Sequence, residues 1–336
     1  TFADLATASE AGDLGRRNMI INGNMEVAQR GTSQAVTASG NYVCDRWGVA
    51  LSSAGRFTMS QESITDLEGF GKATKLDCTT ADTSIASDEL LLFYQRFEGQ
   101  FLQKMQKGFS SAKPVTLSFY VKGNASATYV AELIDSDNSN RHINKSFSVT
   151  TSWSRVSLTF PGDTTGKLTA DNSASLYLHI WLHAGSNYQG GTLQTSWGAL
   201  SQTGRAEGIT SFFDSTDREF FITGVQMELG EVATPFEHET FGDNLARCQR
   251  YYSKVQYSNW SGRVASGNAY YIHDGFRQTM RANPTASILS QSQSTFPTDR
   301  SFGDMTTNGV GTQCTAPSNA DGAYWYTGIA LDAEIN

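Results

Sequence analysis

Apolar and polar residues alternate along much of the first 240 positions. In "VTLSFYV", Val115, Leu117, Phe119 and Val121 fall on one side and Thr116, Ser118 and Tyr120 on the other. "WSRVSLTF" repeats the pattern with Val156, Leu158 and Phe160. "LYLHIWLHAG" sets Leu176, Leu178, Ile180 and Leu182 against Tyr177, His179, Trp181 and His183. "FFITGVQMEL" sets Phe221, Thr223, Val225, Met227 and Leu229 against Ile222, Gly224, Gln226 and Glu228. A period of two sends successive side chains to opposite faces of a strand. Each such segment predicts a strand with one buried face, and many of them together predict two stacked sheets. No helical pattern alternates with these strands, which disfavours a parallel α/β fold.

Two stretches carry helical spacing. "GQFLQKMQKGF" predicts a helix with Phe101, Leu102 and Met105 on one stripe, ending at Gly108 and capping an open end of the sandwich. "GDNLARCQRYY" predicts a second, with Leu245, Cys248 and Tyr252 at i, i+3 and i+7. That helix is too short to stand alone and must lean on something. The organisation that follows is an arm or connector over 1–17, a sandwich over 18–240, a connecting helix over 241–255 and a smaller β-rich unit over 256–336. No repeat of fixed period is present, which argues against a solenoid or β-helix.

Abundant Gly with only 6 Pro fits short strands joined by tight turns. The net charge of −8 comes with no basic stripe, so the electrostatic footprint of a nucleic-acid binder is missing. No apolar run approaches the ~18 residues of a membrane span. The opening "TFADLATASEAGDLGRR" lacks the basic and apolar regions of a secretory signal. Cys44, Cys78, Cys248 and Cys314 form no close pair, so free thiols are expected rather than a zinc cluster or a redox motif.

His179 and His183 stand four apart, a metal-binding spacing on a helix. On a strand they lie ~13 Å apart, too far for one zinc ion. What remains is a polar-aromatic outer face, Tyr177, His179, Trp181 and His183, of the kind that stacks on sugar rings. The alternative is that Trp181 is covered by a loop or another subunit. "IDSDNSNRH" begins like a calcium loop at Asp135 and Asp137, but Asn140 and Ser146 replace its Gly and Glu, so it reads as a turn between strands. No nucleophile elbow, P-loop or H-E-x-x-H motif is present, and no cofactor or metal is expected.

Several blocks, taken in order, resemble a known family. They are "RRNMIINGNMEVAQRGTS" (16–33), "YVCDRWG" (42–48), "YQRFEGQFL" (94–102), "VTLSFYVKG" (115–123) and "FFITGVQMELGEVATPFEHETFGDNLARCQRYY" (220–252). This is similar to a module of bacteriophage tail-fibre and related virion surface proteins, in which a carbohydrate-binding-module-like jelly roll ends in a short Cys-Gln-Arg-Tyr-Tyr helix. "GFRQTMRANPTAS" (275–287) and "ALDAEIN" (330–336) resemble a terminal β-sandwich that often follows. The resemblance implies a non-enzymatic virion protein, commonly a homotrimer, assembled in the host cytoplasm and held by other phage tail or capsid proteins. Only about seventeen residues precede the jelly roll, which implies a distal piece of an assembly or attachment through a short arm. Trp47 and the Gln95–Glu98 phrase are expected to pack inside the sandwich.

The leading expectation is a tail-fibre protein that recognises a host cell-surface polysaccharide or receptor. Its contacts are sought at Trp260, Tyr270, Tyr271 and His273, joined by Tyr324, Trp325 and Tyr326, where Tyr and Trp offer large contact area at small entropic cost. These aromatics equally suit a trimer core. Phe236 is expected to plug the end of the sandwich core, and Leu245, Cys248 and Tyr252 to face the sandwich or a three-fold axis. The alternative role is a capsid fibre, decoration or adaptor protein that binds virion partners and no glycan. A capsule depolymerase would want a β-helix and a catalytic constellation, neither of which the chain displays.

Overall fold

A computed structural model describes residues 16–297 and 300–335, apart from the side chains of Gln256 and Tyr257. The arm expected over 1–17 lies almost wholly outside the described residues. The chain divides into two compact units, one up to Phe241 and one from Gly242 onward.

The N-terminal unit is an antiparallel jelly-roll sandwich of two sheets. Six strands form one sheet in the order β1 (Ser33–Val36), β3 (Arg56–Ser63), β4 (Lys72–Thr80), β11 (Glu219–Leu229), β6 (Val115–Gly123), β9 (Ser154–Phe160). Five form the other, in the order β2 (Gly48–Ser52), β5 (Leu90–Glu98), β10 (Ala174–Ala184), β7 (Ala127–Asp135), β8 (Arg141–Val149). The alternation places the core as expected: Val115, Leu117, Phe119 and Val121 of β6 and Leu176, Leu178, Ile180 and Leu182 of β10 are all buried in it. Trp47 stacks on Phe93 with ring centroids 4.9 Å apart.

The sequence blocks at 16–33, 42–48, 94–102 and 220–229 converge inside this unit. Trp47 Nε1 donates to the Asn22 carbonyl at 3.0 Å. The buried Gln95 amide accepts from Ile21 N–H and donates to its carbonyl, both at 2.9 Å. Asn18 donates to the Val225 carbonyl at 3.1 Å and accepts from Met227 N–H at 3.0 Å. The segment 18–27 is thereby fixed into the sandwich by side chains that satisfy its backbone, because buried peptide groups need partners.

Strict alternation fails in β11. Phe220 and Ile222 are in the core, and so are Val225 and Met227, which reverses parity between 222 and 225. The cause is a bulge between Thr223 and Gln226 in the pairing with β6. Phe221 and Thr223 therefore face away from the core, correcting the expected face. Gly224 sits in the bulge at φ +61°, and a Cβ there would lie 2.7 Å from Phe70 Cζ. The bulge frees Val225 N–H to donate to the Gly23 carbonyl at 2.9 Å.

Three further expectations change. The helix expected over 99–109 is two short 3-10 turns, Gly99–Phe101 and Gln103–Met105. Three residues per turn keep Leu102 and Met105 buried together and rotate Phe101 out to 51% exposure. Phe236 does not plug the core; it joins a small cluster with Ile64, Phe70 and Ala73 on the outer side of the six-stranded sheet. Glu228 holds that segment back by accepting from Thr234 N–H at 2.9 Å and Thr234 Oγ1 at 2.6 Å.

The C-terminal unit opens with helix α1 (Phe241–Gln249), shorter than the expected 241–255. Two three-stranded antiparallel sheets follow: β12 (Tyr252–Val264), β17 (Ala320–Asp332), β14 (Thr285–Ser294), and β13 (Ala269–Gly275), β16 (Gly309–Thr315), β15 (Ser301–Gly303). Cys248 and Tyr252 are buried within the chain, and Leu245 is half-buried. The two residues expected to face the sandwich or a three-fold axis, Cys248 and Tyr252, are thus covered by this chain's own residues.

Replacing Gly224 with Ala forces an L side chain into a left-handed conformation against Phe70, and is expected to lower stability by ~1–3 kcal/mol. A urea unfolding midpoint equal to that of the wild type would contradict the bulge.

Candidate functional site

The outer face of the five-stranded sheet is the first place the sequence points to. Tyr177, His179 and Trp181 share that face of β10, beside Leu92 and Tyr94 of β5 and Val130 and Glu132 of β7, whereas a bulge after Trp181 pairs His183 with the core residue Leu91, correcting its expected face. It is not open. Residues 185–213 run back over it as a strap, pairing with β8 through Gly198 and His142 and donating from Phe212 N–H to the Leu182 carbonyl at 2.8 Å. Trp181 is buried in a second cluster with Leu92, Val130, Ala184 and Ala206. The ring of Tyr188 lies 5.0 Å from that of Trp181.

Glu132 organises the strap. It is the one acidic residue within "ATYVAEL" and is fully buried. Arg205 of the strap donates to it twice, Nε to Oε1 at 2.9 Å and Nη2 to Oε2 at 2.8 Å, and lies 4.7 Å over the Trp181 ring. Trp181 Nε1 donates to Oε2 at 2.8 Å. His142 accepts from Ser201 N–H at Nε2, so it gives its Nδ1 hydrogen to Glu132 Oε1 at 2.9 Å. Burial alone would raise the Glu132 carboxyl, but hydrogen bonds from His142 and His179 and the Arg205 guanidinium outweigh it and hold the group well below its ordinary value. Burial pushes His179 down, against the pull of Glu132.

His183 closes the far end. Its Nδ1 lies 2.8 Å from Ser211 Oγ and its Nε2 3.2 Å from Glu89 Oε2. Serine, histidine and carboxylate in line resemble a hydrolase triad. Here His183 has no exposed surface, and Ser211 Oγ accepts from Phe213 N–H at 3.0 Å within a turn. The arrangement ties the strap down. Trp181 and His183 are therefore corrected from open ligand contacts to buried fasteners. Tyr177 stays half-exposed, its ring 5.2 Å from the Arg96 guanidinium. Among the described residues, no group of three His, Cys, Asp or Glu could hold a metal ion.

The C-terminal unit carries an open groove of about 630 Å³ between the β12–β13 and β16–β17 turns. Its lining includes Arg263, Tyr270, Asn319 and Asp321. Arg263 Nε pairs with Asp321 Oδ1 at 2.8 Å, and both side chains are more than 80% exposed (85% and 81%). Tyr270 Oη accepts from Ala265 N–H at 2.8 Å, and Asn319 Oδ1 from Ser266 N–H at 2.7 Å. The Tyr270 hydroxyl hydrogen and the Asn319 amide hydrogens have no protein acceptor among the described residues. Below them Trp260, Tyr270 and Phe296 form an aromatic triangle, with Trp260 and Tyr270 4.7 Å apart.

The structure thus packs Trp260 against Tyr270, which lines the groove, and keeps both half-exposed. Trp325 is fully buried, correcting its expected exposure. Tyr271 is 55% exposed, and His273 lies outward 4.0 Å from Asp304. Sequence reasoning missed Glu132, Arg205, Arg263, Asn319 and Asp321. For Glu132 a signal existed, a lone charge within an apolar strand.

No family model matches the chain, and no curated protein matches it. Among solved structures it is similar to the enzymatically active domain of bacteriophage CBA120 tailspike protein 4, at TM-score 0.35 and 11% identity over 64% of this chain. It spans 22% of that domain's length. It is also similar to TmCBM61 in complex with β-1,4-galactotriose, at TM-score 0.33 and 9% identity over 64% of this chain and 100% of that one. A family 11 carbohydrate-binding module from Clostridium thermocellum gives 0.29 and 13% over 62% and 99%. Likenesses this distant carry no argument about ligand.

Glu132→Gln leaves Arg205 beside an uncharged partner and is expected to cost ~3–5 kcal/mol, with new protease cleavage within 186–204. In the wild type, His179 and His183 are held below 6.5, so the unfolded chain takes up protons first and stability falls as pH drops through 6.5. The depressed Glu132 carboxyl contributes fully above 4.5, and that contribution is lost as pH falls towards its folded value. Urea midpoints between pH 8 and pH 4 check both; a flat profile contradicts them.

Proposed function

We propose that this chain is a non-catalytic glycan-recognition protein of a phage virion surface, with the jelly roll as scaffold and the C-terminal groove as ligand site. The groove carries the reading. It sets the Arg263–Asp321 pair and the Asn319 amide beside Tyr270, and its volume lies within the ~300–1,000 Å³ of small-ligand sites. Sugars present vicinal hydroxyls that both donate and accept, and a guanidinium beside a carboxylate meets both demands. An exposed ion pair is worth at most about 1 kcal/mol, so opening it to a ligand costs little.

Charge distribution supports the same end of the chain. From Gly242 onward there are seven Lys or Arg and seven Asp or Glu, so the whole net charge of −8 lies in residues 1–241. The C-terminal unit can approach an anionic cell envelope without net repulsion, whereas the jelly roll is repelled. The resemblance to fibre proteins supports a homotrimer on the virion, held by other tail or capsid proteins.

Binding of the full chain to host-surface polysaccharide fragments, followed by titration calorimetry, tests the reading. Tyr270→Ala and Arg263→Ala should each weaken association at least tenfold, about 1.4 kcal/mol. Affinity unchanged in both variants, or binding confined to tail or capsid proteins, would remove the groove as the glycan site.

A further inference from the structure

The outer face of the sheet β12–β17–β14 has a composition unlike the rest of the molecule. In β17, Ala323 and Trp325 point into the core, so Tyr324 and Tyr326 point outward. Register then fixes their neighbours. Tyr324 lies between Ser261 and Ser294, and Tyr326 between Asn259 and Ser292. Further along β14, Ser290 pairs with Gly328 and Ser287 with Ala330. Every paired outward position of β14 from Ser287 to Ser294 is thus a serine. Charges stand at both ends of this stretch: Lys254 opposite Ala330, and the exposed Arg263–Asp321 pair beyond Ser261 and Tyr324.

From this we infer that the face is a second binding site, a flat platform for an extended, uncharged polysaccharide. It shares no lining residue with the groove and does not depend on it. Tyr324 is 42% exposed and Tyr326 half-exposed, and two residues along a strand separate them by about 6.7 Å. Three strands about 4.8 Å apart make the face roughly 10 Å wide. Tyrosine rings stack on the apolar faces of sugars, and flanking Ser and Asn exchange hydrogen bonds with ring hydroxyls. Gly328 and Ala330 are buried, and the unpaired Leu289 beside them is 49% exposed, so the open part of the face centres on Tyr324 and Tyr326. Between these ends the stretch around Tyr324 and Tyr326 carries no charge, which gives little to hold a uronate or phosphate polymer and no penalty to a neutral one.

Affinity electrophoresis of the full chain in gels containing xyloglucan, galactomannan, dextran or mixed-linkage β-glucan tests this, with alginate as the anionic comparison. At least one neutral polymer is expected to retard the wild type. Tyr324→Ala with Tyr326→Ala should weaken that retardation at least tenfold, and Ser292→Lys should do so alone, while Val232→Ala, at an exposed position of the N-terminal unit, should leave it in place. Far-UV circular dichroism and the unfolding midpoint confirm that the variants fold. No retardation by any neutral polymer, or retardation within twofold of wild type in both face variants, overturns the proposal. So does a fall in solution mass for the double variant with glycan binding intact, which would make the face a contact between copies.

Discussion

A carboxylate sits at the centre of a sheet face with no access to water, and the jelly roll is arranged around neutralising it. Glu132 unpaired at that depth would cost several kcal/mol. The groups that prevent this are the Arg205 fork, the Trp181 indole and the His142 ring, the first drawn from a strap whose helical structure is limited to two 3-10 turns, Ser186–Tyr188 and Gln202–Gly204. The charge therefore selects one placement of residues 185–213 over all others. With the strap placed, Trp181 and Tyr188 pack beneath it and the face is shut.

That closure decides where recognition can occur. On the proposed reading the jelly roll, its polar-aromatic sheet face covered, serves as a scaffold, and its net negative charge sets it apart from the neutral C-terminal unit. The smaller sandwich keeps its aromatic residues in two different states. Trp260, Tyr270, Tyr324 and Tyr326 reach solvent in part, while Trp325 fills the core. Adjacent positions on one strand, 324 to 326, thus supply both the packing that makes the unit stable and the surface through which it can act.

Much of this could be read from the sequence, and the failures share a cause. Period-two patterns located the strands and their inward residues because core burial imposes that period directly. The same patterns left open what lies over the outward residues, since a strap of mixed composition has no period to read. His179, Trp181 and His183 looked like an open face for that reason. The β11 bulge escaped because Gly224 is a single residue, and only the parity of its neighbours reveals it. Groove residues Arg263, Asn319 and Asp321 come from two turns more than fifty positions apart, and nothing local marks them as neighbours. The sequence blocks that carry the family resemblance proved to be architectural: Asn22 with Trp47, Ile21 with Gln95, Asn18 with Met227.

The central claim is a division of labour, with the jelly-roll face closed and recognition in the C-terminal unit. Protein-detected NMR of the full chain, titrated with the oligosaccharide it binds, tests this most directly. The account predicts shift changes confined to residues 259–271 and 317–326, with Tyr177, His179, Trp181 and the strap unmoved. Changes centred on β10 and residues 185–213 would mean that the strap opens to ligand, and would contradict it.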